Sequence, residues 1–149
     1  MTYYGLCASV VLSNLNNVNC LQYGLGSKEQ SGEQILNIYS ENGGGSSILY
    51  HADEVIATEK IQVKTLDDFN LSNICFIKMD IESNESYALQ GAKLTLARSD
   101  FPPILFEANN DADYDKTSDV LFELKYSIFP VHGTTNMYLA TYEKKHNVE

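Results

Sequence analysis

The chain has 149 residues, 44% of them hydrophobic, and its 20 acidic residues against 10 basic ones give a net charge of −10. This length favours one domain, spanning residues 1–149, with a sizeable hydrophobic core. The acidic balance opposes nucleic acid and anionic membranes as partners, because both bind cationic patches.

The three cysteines, Cys7, Cys20 and Cys75, are scattered along the sequence. They show no Cys-x-x-Cys spacing, so neither a zinc site nor a redox motif is predicted. Buried, reduced thiols in a cytoplasmic protein are the expected interpretation. No apolar run approaches the roughly 20 residues that a membrane-spanning helix needs. The run at residues 6–12 is short and lacks the basic flank of a signal peptide.

The amino-terminal half is predicted to contain one helix and several short strands. Residues 3–15 have the apolar density of a helix that ends where turn-forming asparagines collect. A strand is predicted at 18–23, followed by a turn at 24–27. Further extended segments are predicted at 35–39, 48–50 and 61–64, with a flexible glycine loop at 43–47 and a turn or short helix at 67–69.

The most informative segment, residues 76–92, joins an apolar run to a helix through several carboxylates. Residues 74–81 suit a strand that is buried on both faces of a parallel sheet. Since side chains alternate along a strand, Lys78, Asp80 and Glu82 are expected on one face. In open α/β sheets the ligand lies beyond the carboxyl ends of the strands. This segment therefore predicts a site at such an end.

A helix is predicted directly after this strand. Ser83 or Asn84 can cap it, and Glu85 in its first turn is favoured by the positive end of the helix dipole. Glu85 lies on the same stripe as the predicted buried face, and Gly91 beside that stripe allows close approach to the sheet. The apolar members of the stripe are Ala88, Leu89, Ala92 and Leu96. Helix and strand are therefore expected to place three acids around one spot.

The carboxyl-terminal half is predicted as a strand, a helix and a hairpin. Two prolines stop the preceding helix, and residues 104–108 form a second core strand that carries Glu107. Residues 109–115 are polar and acidic, and Thr117 is the predicted cap of the next helix. Strands at 126–131 and 137–142 flank a turn with His132, and the last residues form a polar tail. This order predicts an α/β fold with a mostly parallel sheet and an antiparallel terminal hairpin.

The central strand and helix resemble those of the FkbM-type methyltransferases, which use S-adenosylmethionine (SAM). The matching residues are Ile77, Lys78, Asp80, Glu82, Glu85, Leu89, Gly91 and Ala92. Residues 65–68 resemble the family's entry into this strand, and 104–107 resemble the next strand with its terminal glutamate. Ser83 stands where the family usually has glycine, so the helix start should survive with a slightly different backbone.

This resemblance, which runs from about residue 14 to residue 140, implies a Rossmann-like class I methyltransferase sheet. In that sheet the first strand ends in a Gly-rich turn, and residues 3–15 and 18–23 match the helix and third strand that come later. The resemblance thus implies an amino-terminally truncated domain. Rearranged strand pairing near 18–23, a homo-oligomer or a complementing chain is expected, because unpaired strand edges favour association.

The resemblance also implies O-methylation of a hydroxyl on a sugar or another small metabolite. Asp80 or Glu82 would be the base, and Glu107 would position this small-molecule or glycan acceptor. The turn at residues 24–26, formed by Gly24, Leu25 and Gly26, would lie near the adenine of SAM. Clustered carboxylates are expected to raise one another's pKa, which suits a general base near neutral pH.

Alternatives stay open for these acids. Asp80 can instead form a salt bridge with Lys78, and Glu82 and Glu85 can simply stabilise a helix N-terminus. His132 is expected to be an exposed hairpin residue rather than an acid or base.

Two further alternatives concern the whole site and the whole chain. Hard oxygen ligands for magnesium are present in Asp80, Glu107, Asn109 and Asn110. Such sets arise by chance in acidic chains, so no metal is predicted. The alternative to an enzyme is a non-catalytic, methyltransferase-like remnant that acts as an interaction module or a subunit.

Overall fold

The computed structural model describes residues 2–41, 43–49 and 54–143. The helices and strands within these ranges agree with the predicted mixed α/β class. Their order is α1 (Thr2–Leu12), β1 (Gly24–Leu25), β2 (Gly32–Ile38), β3 (Ala57–Lys64), β4 (Ile77–Met79), α2 (Glu85–Gln90), α3 (Lys93–Arg98), β5 (Ile104–Glu107), α4 (Asp111–Glu123), β6 (Tyr126–Pro130) and β7 (Met137–Tyr142). Short 3-10 helices at Lys28–Gln30 and Leu66–Phe69 precede β2 and β4.

The strands form two sheets of mixed direction. Their strand orders are β1-β3-β2 and β4-β5-β7-β6. Only β1–β3 and β4–β5 are parallel pairs within the described ranges, whereas β2–β3, β5–β7 and β6–β7 are antiparallel. The predicted mostly parallel sheet is therefore wrong, because β7 turns back after β6 and pairs antiparallel with both β6 and β5, and β2 pairs antiparallel with β3. The antiparallel terminal hairpin is confirmed by β6 and β7.

The hydrophobic core lies between the four-stranded sheet and helices α2, α3 and α4. Phe106 and Ile104 of β5 are fully buried against Leu89, Leu96 and Leu121 of the three helices. Burial of each such side chain contributes about 1.5–3 kcal/mol to folding. The predicted buried stripe is confirmed, since all its apolar members are buried: Ala88, Leu89, Ala92 and Leu96.

The helix predicted after the central strand is divided into α2 and α3. Gly91 ends α2 at φ −82° and ψ 5°, and Ala92 is the N-cap residue of α3. The close approach predicted for Gly91 is confirmed, because a Cβ at this position would collide with the carbonyl oxygen of Gly26. This contact holds helix α2 against the end of β1.

Strand β4 is shorter and more exposed than the sequence predicted. It covers Ile77–Met79 and forms an edge of its sheet, pairing with β5 on one side. Phe76 and Lys78 are exposed, so burial on both faces, as predicted for residues 74–81, is wrong. Only the face that carries Ile77 and Met79 contacts the core.

The chain between α1 and β2 also differs from its prediction. Residues 18–23 are not a strand, and Val18, Leu21 and Tyr23 are exposed. Pairing begins instead at Gly24–Leu25, which the sequence predicted as a turn and which lies beside Val63 and Lys64. The strand predicted at 48–50 is absent at 48 and 49, while residue 50 lies outside the described residues.

Helix α4 begins six residues before its predicted cap. Its N-cap is Asn110, whose Oδ1 accepts the N–H of Asp113 at 3.0 Å, and Thr117 is buried within the helix. Asparagine is among the strongest N-cap residues, so it outcompetes threonine here. The additional turns, about two, place Asp113 near the end of β4.

The thiols are less buried than the sequence predicted. Cys7 and Cys20 are half-buried and Cys75 is exposed, so burial of all three thiols is wrong. None of the helices within the described ranges has the length and apolar character needed to cross a membrane.

Candidate active site

The structure brings Asp80 and Glu107 together at the ends of two neighbouring strands. Met79 pairs with Phe106 in the parallel β4–β5 ladder, so the next residue of each strand emerges at the same edge of the sheet. The two carboxyl groups share a hydrogen bond. Glu107 is thus placed beside Asp80, as expected for adjacent core strands.

The two carboxyl groups have opposite pKa shifts. The hydrogen bond from Lys78, followed by the one with Glu107, lowers the pKa of Asp80, and the Lys78 Nζ to Asp80 Oδ2 distance is 2.7 Å. The hydrogen bond with Asp80, followed by burial and charge repulsion, raises the pKa of Glu107. The expectation that clustering raises every pKa is therefore wrong for Asp80, because the hydrogen bonds with Lys78 and Glu107 both favour its ionised form. In a pair that carries one proton, these directions place the proton on Glu107, which then donates it to Asp80.

Asn136 is a site residue that sequence reasoning missed. Its Nδ2 donates to Glu107 Oε1 and, at 3.1 Å, to Asn109 Oδ1. The backbone supports this placement, since the N–H of Ala108 donates to the carbonyl of Asn136 at 2.9 Å. The signal was the hairpin: β7 pairs with β5 from Met137 onward, which sets the residue before it beside Glu107.

A strained turn joins β4 to α2. Glu82 has φ +53° and Ser83 has φ +71°, a left-handed conformation that costs non-glycine residues about 1–2 kcal/mol each. The glycine usual in the family at position 83 would adopt it without this cost. The helix still begins, with Asn84 as its N-cap residue, whereas a backbone different from that of the family remains a prediction.

Glu85 supports this turn from inside the protein. It is 2% exposed, and its Oε1 accepts the N–H of Ile81 at 2.8 Å. Burial raises the pKa of Glu85, although hydrogen bonds from backbone N–H groups oppose the shift. As predicted, the residue points inward, toward the end of the strand. Its contact with the backbone of Ile81 fits the helix-start interpretation, and a catalytic role remains a prediction.

Glu82 contacts the glycine loop rather than Asp80. Its Oε1 accepts the N–H of Gly45 at 3.2 Å, and its carbonyl accepts the hydroxyl of Ser47 at 2.9 Å. Ser47 is buried and forms an antiparallel bridge with Asn37. Residues 43–47 thus lie against the turn after β4, attached at two points. The role of Glu82 as a base remains a prediction.

Helix α4 is attached to the other side of the same turn. The hydroxyl of Ser83 donates to Asp113 Oδ2 at 2.6 Å, and Nδ2 of Asn110 donates to the same oxygen at 2.8 Å. Asn110 therefore serves the helix cap. Asp113 is buried and adds negative charge near Glu85, which contributes to the raised pKa of that residue.

The three residues predicted to contact the cofactor lie in β1 and directly after it, next to the start of α2. Gly24 and Leu25 form β1, and Gly26 is buried where a Cβ would collide with Gln30 Oε1. The carbonyl of Leu25 accepts a hydrogen bond from Nδ2 of Asn84 at 2.8 Å. This places the segment beside the helix start, and its contact with a cofactor remains a prediction.

The remaining candidates are not drawn into this cluster. His132 is exposed in the turn between β6 and β7, in agreement with its expected hairpin position. In the part of the chain that the structure describes, no three or more His, Cys, Asp or Glu residues are grouped so as to hold a metal ion.

The arrangement of carboxylates at the ends of β4 and β5 can be compared with known proteins. A family model of the methyltransferase FkbM domain matches residues 8–142. The chain belongs to the FkbM methyltransferase family. The match includes every candidate site residue from Gly24 to Asn136.

A solved FkbM structure has a similar fold. The chain is similar to the methyltransferase FkbM from Methylobacillus flagellatus KT, with a TM-score of 0.58 and 20% sequence identity. The match covers 93% of this chain and 32% of that one, so the chain spans about a third of the length of that FkbM protein. A comparison with curated proteins finds no match.

Proposed function

We propose that the chain carries part or all of a SAM-dependent methyltransferase site that methylates a hydroxyl group. The observation that supports it is the hydrogen-bonded pair of Asp80 and Glu107 at the ends of adjacent parallel strands in an FkbM domain. Ligands of α/β sheets lie at such ends. A sugar or another small metabolite is the proposed acceptor.

The residues present fit a cationic cofactor. Asp80 acts electrostatically on both Glu85 and Glu107 at this edge of the sheet, and Asp113 adds negative charge beside Glu85. Their negative charge favours a sulfonium or ammonium group nearby. When bound, SAM supplies an electrophilic methyl group on a positively charged sulfur. We assign the contact with its adenine to Gly24, Leu25 and Gly26.

The pKa directions favour Glu107 as the residue that takes the proton of the acceptor hydroxyl. A carboxylate with a raised pKa is the stronger base, and proton transfer is most efficient when that pKa approaches the working pH. Asn136 holds Glu107 in place through its amide. The sequence-based assignment had Glu107 as the positioning residue and Asp80 or Glu82 as the base.

Asp80 then has an electrostatic role. Lys78 lowers its pKa, so this carboxylate is ionised whenever Glu107 is. When Glu107 is protonated, Asp80 accepts the hydrogen bond from it. An ionised Asp80 stabilises positive charge close by and discourages ionisation of Glu107. Above its raised pKa, Glu107 is ionised and can act as the base, while Asp80 remains ionised beside it.

We also propose a cytoplasmic location and association with another chain. A cytoplasmic location is supported by the three free cysteines. Association with a second copy or a complementing chain is supported by the exposed edge of β4, since unpaired strand edges favour association.

Isothermal titration calorimetry with SAM tests the proposal. We expect the chain to bind SAM, with weaker binding in Asp80→Asn. Asp119→Asn is the matched control, because it removes one negative charge from an exposed position on α4. This variant should bind as the wild type does.

Two outcomes would count against the site. Absence of binding at millimolar SAM would overturn the enzyme interpretation and leave a non-catalytic domain. Equal weakening in Asp80→Asn and Asp119→Asn would show general charge attraction instead of a site at the ends of β4 and β5.

A further inference from the structure

Asn84 is the N-cap residue of helix α2, but its side chain does not cap that helix. At this position asparagine ordinarily accepts a backbone N–H of the first helical turn, as Asn110 does for α4. Asn84 is 4% exposed, so the polar atoms of its amide need partners within the protein. Those partners lie in a distant part of the sequence.

Both ends of the Asn84 amide contact the segment that includes β1. Its Nδ2 donates to the carbonyl of Leu25 at 2.8 Å, and its Oδ1 accepts a hydrogen bond from Nε2 of Gln30 at 3.0 Å. A longer contact of 3.4 Å, from Nδ2 to Gln30 Oε1, makes the two amides a reciprocal pair. Gln30 Oε1 also accepts the N–H of Ser27 at 3.1 Å. The segment after β1 is thereby attached to the start of α2.

This contact crosses between the two sheets. Strand β1 belongs to the three-stranded sheet, whereas β4 and β5, whose ends carry Asp80 and Glu107, belong to the four-stranded sheet. Asn84 lies between β4 and α2 and donates to the last residue of β1. The proposed adenine contact is therefore in one sheet and the acids are at the end of the other, so their spacing depends on contacts such as this one.

We propose that Asn84 is a positioning residue that sets the distance between residues 24–26 and the acids at the ends of β4 and β5. This inference rests on the proposed function, in which residues 24–26 contact the adenine of SAM and the acids lie near its sulfonium. SAM must contact both places at once, so its affinity depends on their relative position. Asn84 acts through Leu25 and Gln30 rather than through the ligand.

The structure of β1 itself does not depend on Asn84. β1 pairs with Val63 and Lys64 of β3, and the N–H of Gly26 donates to the carbonyl of Lys64 at 3.1 Å. Loss of the Asn84 contact should therefore move residues 24–26 relative to the acids and leave their own backbone pairing intact. A ligand that needs only one of the two places should still bind.

Isothermal titration calorimetry of Asn84→Asp with SAM tests the inference. The substitution keeps an oxygen for Gln30 Nε2, but it replaces the donor to Leu25 with an oxygen that repels that carbonyl. We expect SAM to bind about tenfold more weakly than to the wild type. The added negative charge would by itself favour a cationic ligand, so charge cannot explain a loss. Asn17→Asp, the same change at an exposed position, should bind SAM as the wild type does.

Adenosine separates a positioning role from a purely structural one. It carries the adenine without the sulfonium, so its affinity for Asn84→Asp should stay within about twofold of the wild-type value. Gln30→Glu, at a less buried position, removes the donor to Asn84 Oδ1 and should weaken SAM selectively as well, to a smaller degree. Circular dichroism checks the fold of each variant, and Gln30→Glu decides the question if Asn84→Asp does not fold.

Three results would contradict the inference. Wild-type affinity for SAM in the folded variants would overturn the positioning role and leave the proposed function intact. Equal weakening of SAM and adenosine would show that Asn84 only stabilises the fold. A wild type that binds no SAM would overturn the proposed function, and this inference with it.

Discussion

Replacement of Gly91 by alanine tests the contact between helix α2 and the end of β1. The added Cβ would collide with the backbone oxygen of Gly26 and would lie 3.1 Å from the Cβ of Thr65. A backbone oxygen cannot rotate aside as a flexible side chain does. Gly91 itself has φ −82° and ψ 5°, which alanine adopts without strain, so the loss comes from the collision alone.

The magnitude follows from two opposing effects. Overpacking of a close contact costs about 1–3 kcal/mol. Alanine recovers up to about 1 kcal/mol relative to glycine inside a helix, and less at a helix end. We therefore expect Gly91→Ala to lower the free energy of unfolding by about 1–2 kcal/mol. Because each kcal/mol shifts the thermal midpoint by roughly 2–4 °C, the temperature of half-unfolding should fall by about 2–8 °C.

Urea unfolding followed by circular dichroism measures this change. Gly5→Ala is the matched control, because it makes the same substitution inside α1 with nothing within 4 Å of the new Cβ. It should raise helix stability by up to about 1 kcal/mol. The close contact with Gly26 would be refuted if Gly91→Ala had the stability of the wild type and the same dependence of unfolding free energy on urea concentration.

Three further predictions concern the backbone and the acids. Lys125 is exposed after α4 and has φ +66°, a conformation that glycine adopts without strain. Lys125→Gly should therefore raise the free energy of unfolding by about 1 kcal/mol, as measured by thermal unfolding. Burial raises the pKa of Glu85, so its contribution to stability is present below pH 4.5 and is lost as pH rises through the folded-state pKa. Glu85→Gln should remove that pH dependence and unfold at higher urea than the wild type at neutral pH. Asp80→Asn should lower the pKa of Glu107, observed by NMR titration of its carboxyl carbon, because the hydrogen bond with Asp80 is the main cause of the raised value.

Each of these predictions has a contrary outcome. A Lys125→Gly variant less stable than the wild type would mean that the lysine side chain makes a contact worth more than the strain. If Glu85→Gln were destabilised at every pH, the ionised carboxylate would be required for the turn. An unchanged pKa of Glu107 in Asp80→Asn would show that the two carboxyl groups are not coupled.

The sequence predicted best where a periodic pattern coincides with burial. The stripe after Glu85 and the hairpin of β6 and β7 were both predicted, because helical and alternating patterns directly reflect which face meets the core. The proximity of Asp80 and Glu107 followed from two consecutive core strands. Neighbouring parallel strands end at the same edge of a sheet, so a correct pairing of β4 with β5 was enough to predict that these two side chains lie close together.

The sequence could not predict which strands pair with each other, or which of two suitable residues caps a helix. An apolar run such as residues 74–81 has the same pattern at the edge of a sheet as in its middle. Asn110 and Thr117 are both suitable helix caps, and only the fold decides between them. Asn136 has no motif of its own, and it joins the site only because β7 returns alongside β5.

The directions of the pKa shifts also required the structure. Lys78 and Asp80 are two residues apart on one face of β4, which makes an ion pair possible but not certain. Whether the carboxyl group of Glu107 or that of Asp80 keeps the proton depends on where Lys78 lies. The sequence alone therefore could not decide whether Asp80 or Glu107 is the base.

The strained turn after β4 makes the site dependent on parts of the chain that carry no candidate chemistry. Its left-handed residues, Glu82 and Ser83, are held by contacts with Gly45, Ser47 and Asp113. The free energy stored in the backbone is released if these contacts open. Local opening of the glycine loop should thus spread to the carboxyl end of β4 before the core unfolds, which makes this edge the first region of the sheet to exchange its amide protons.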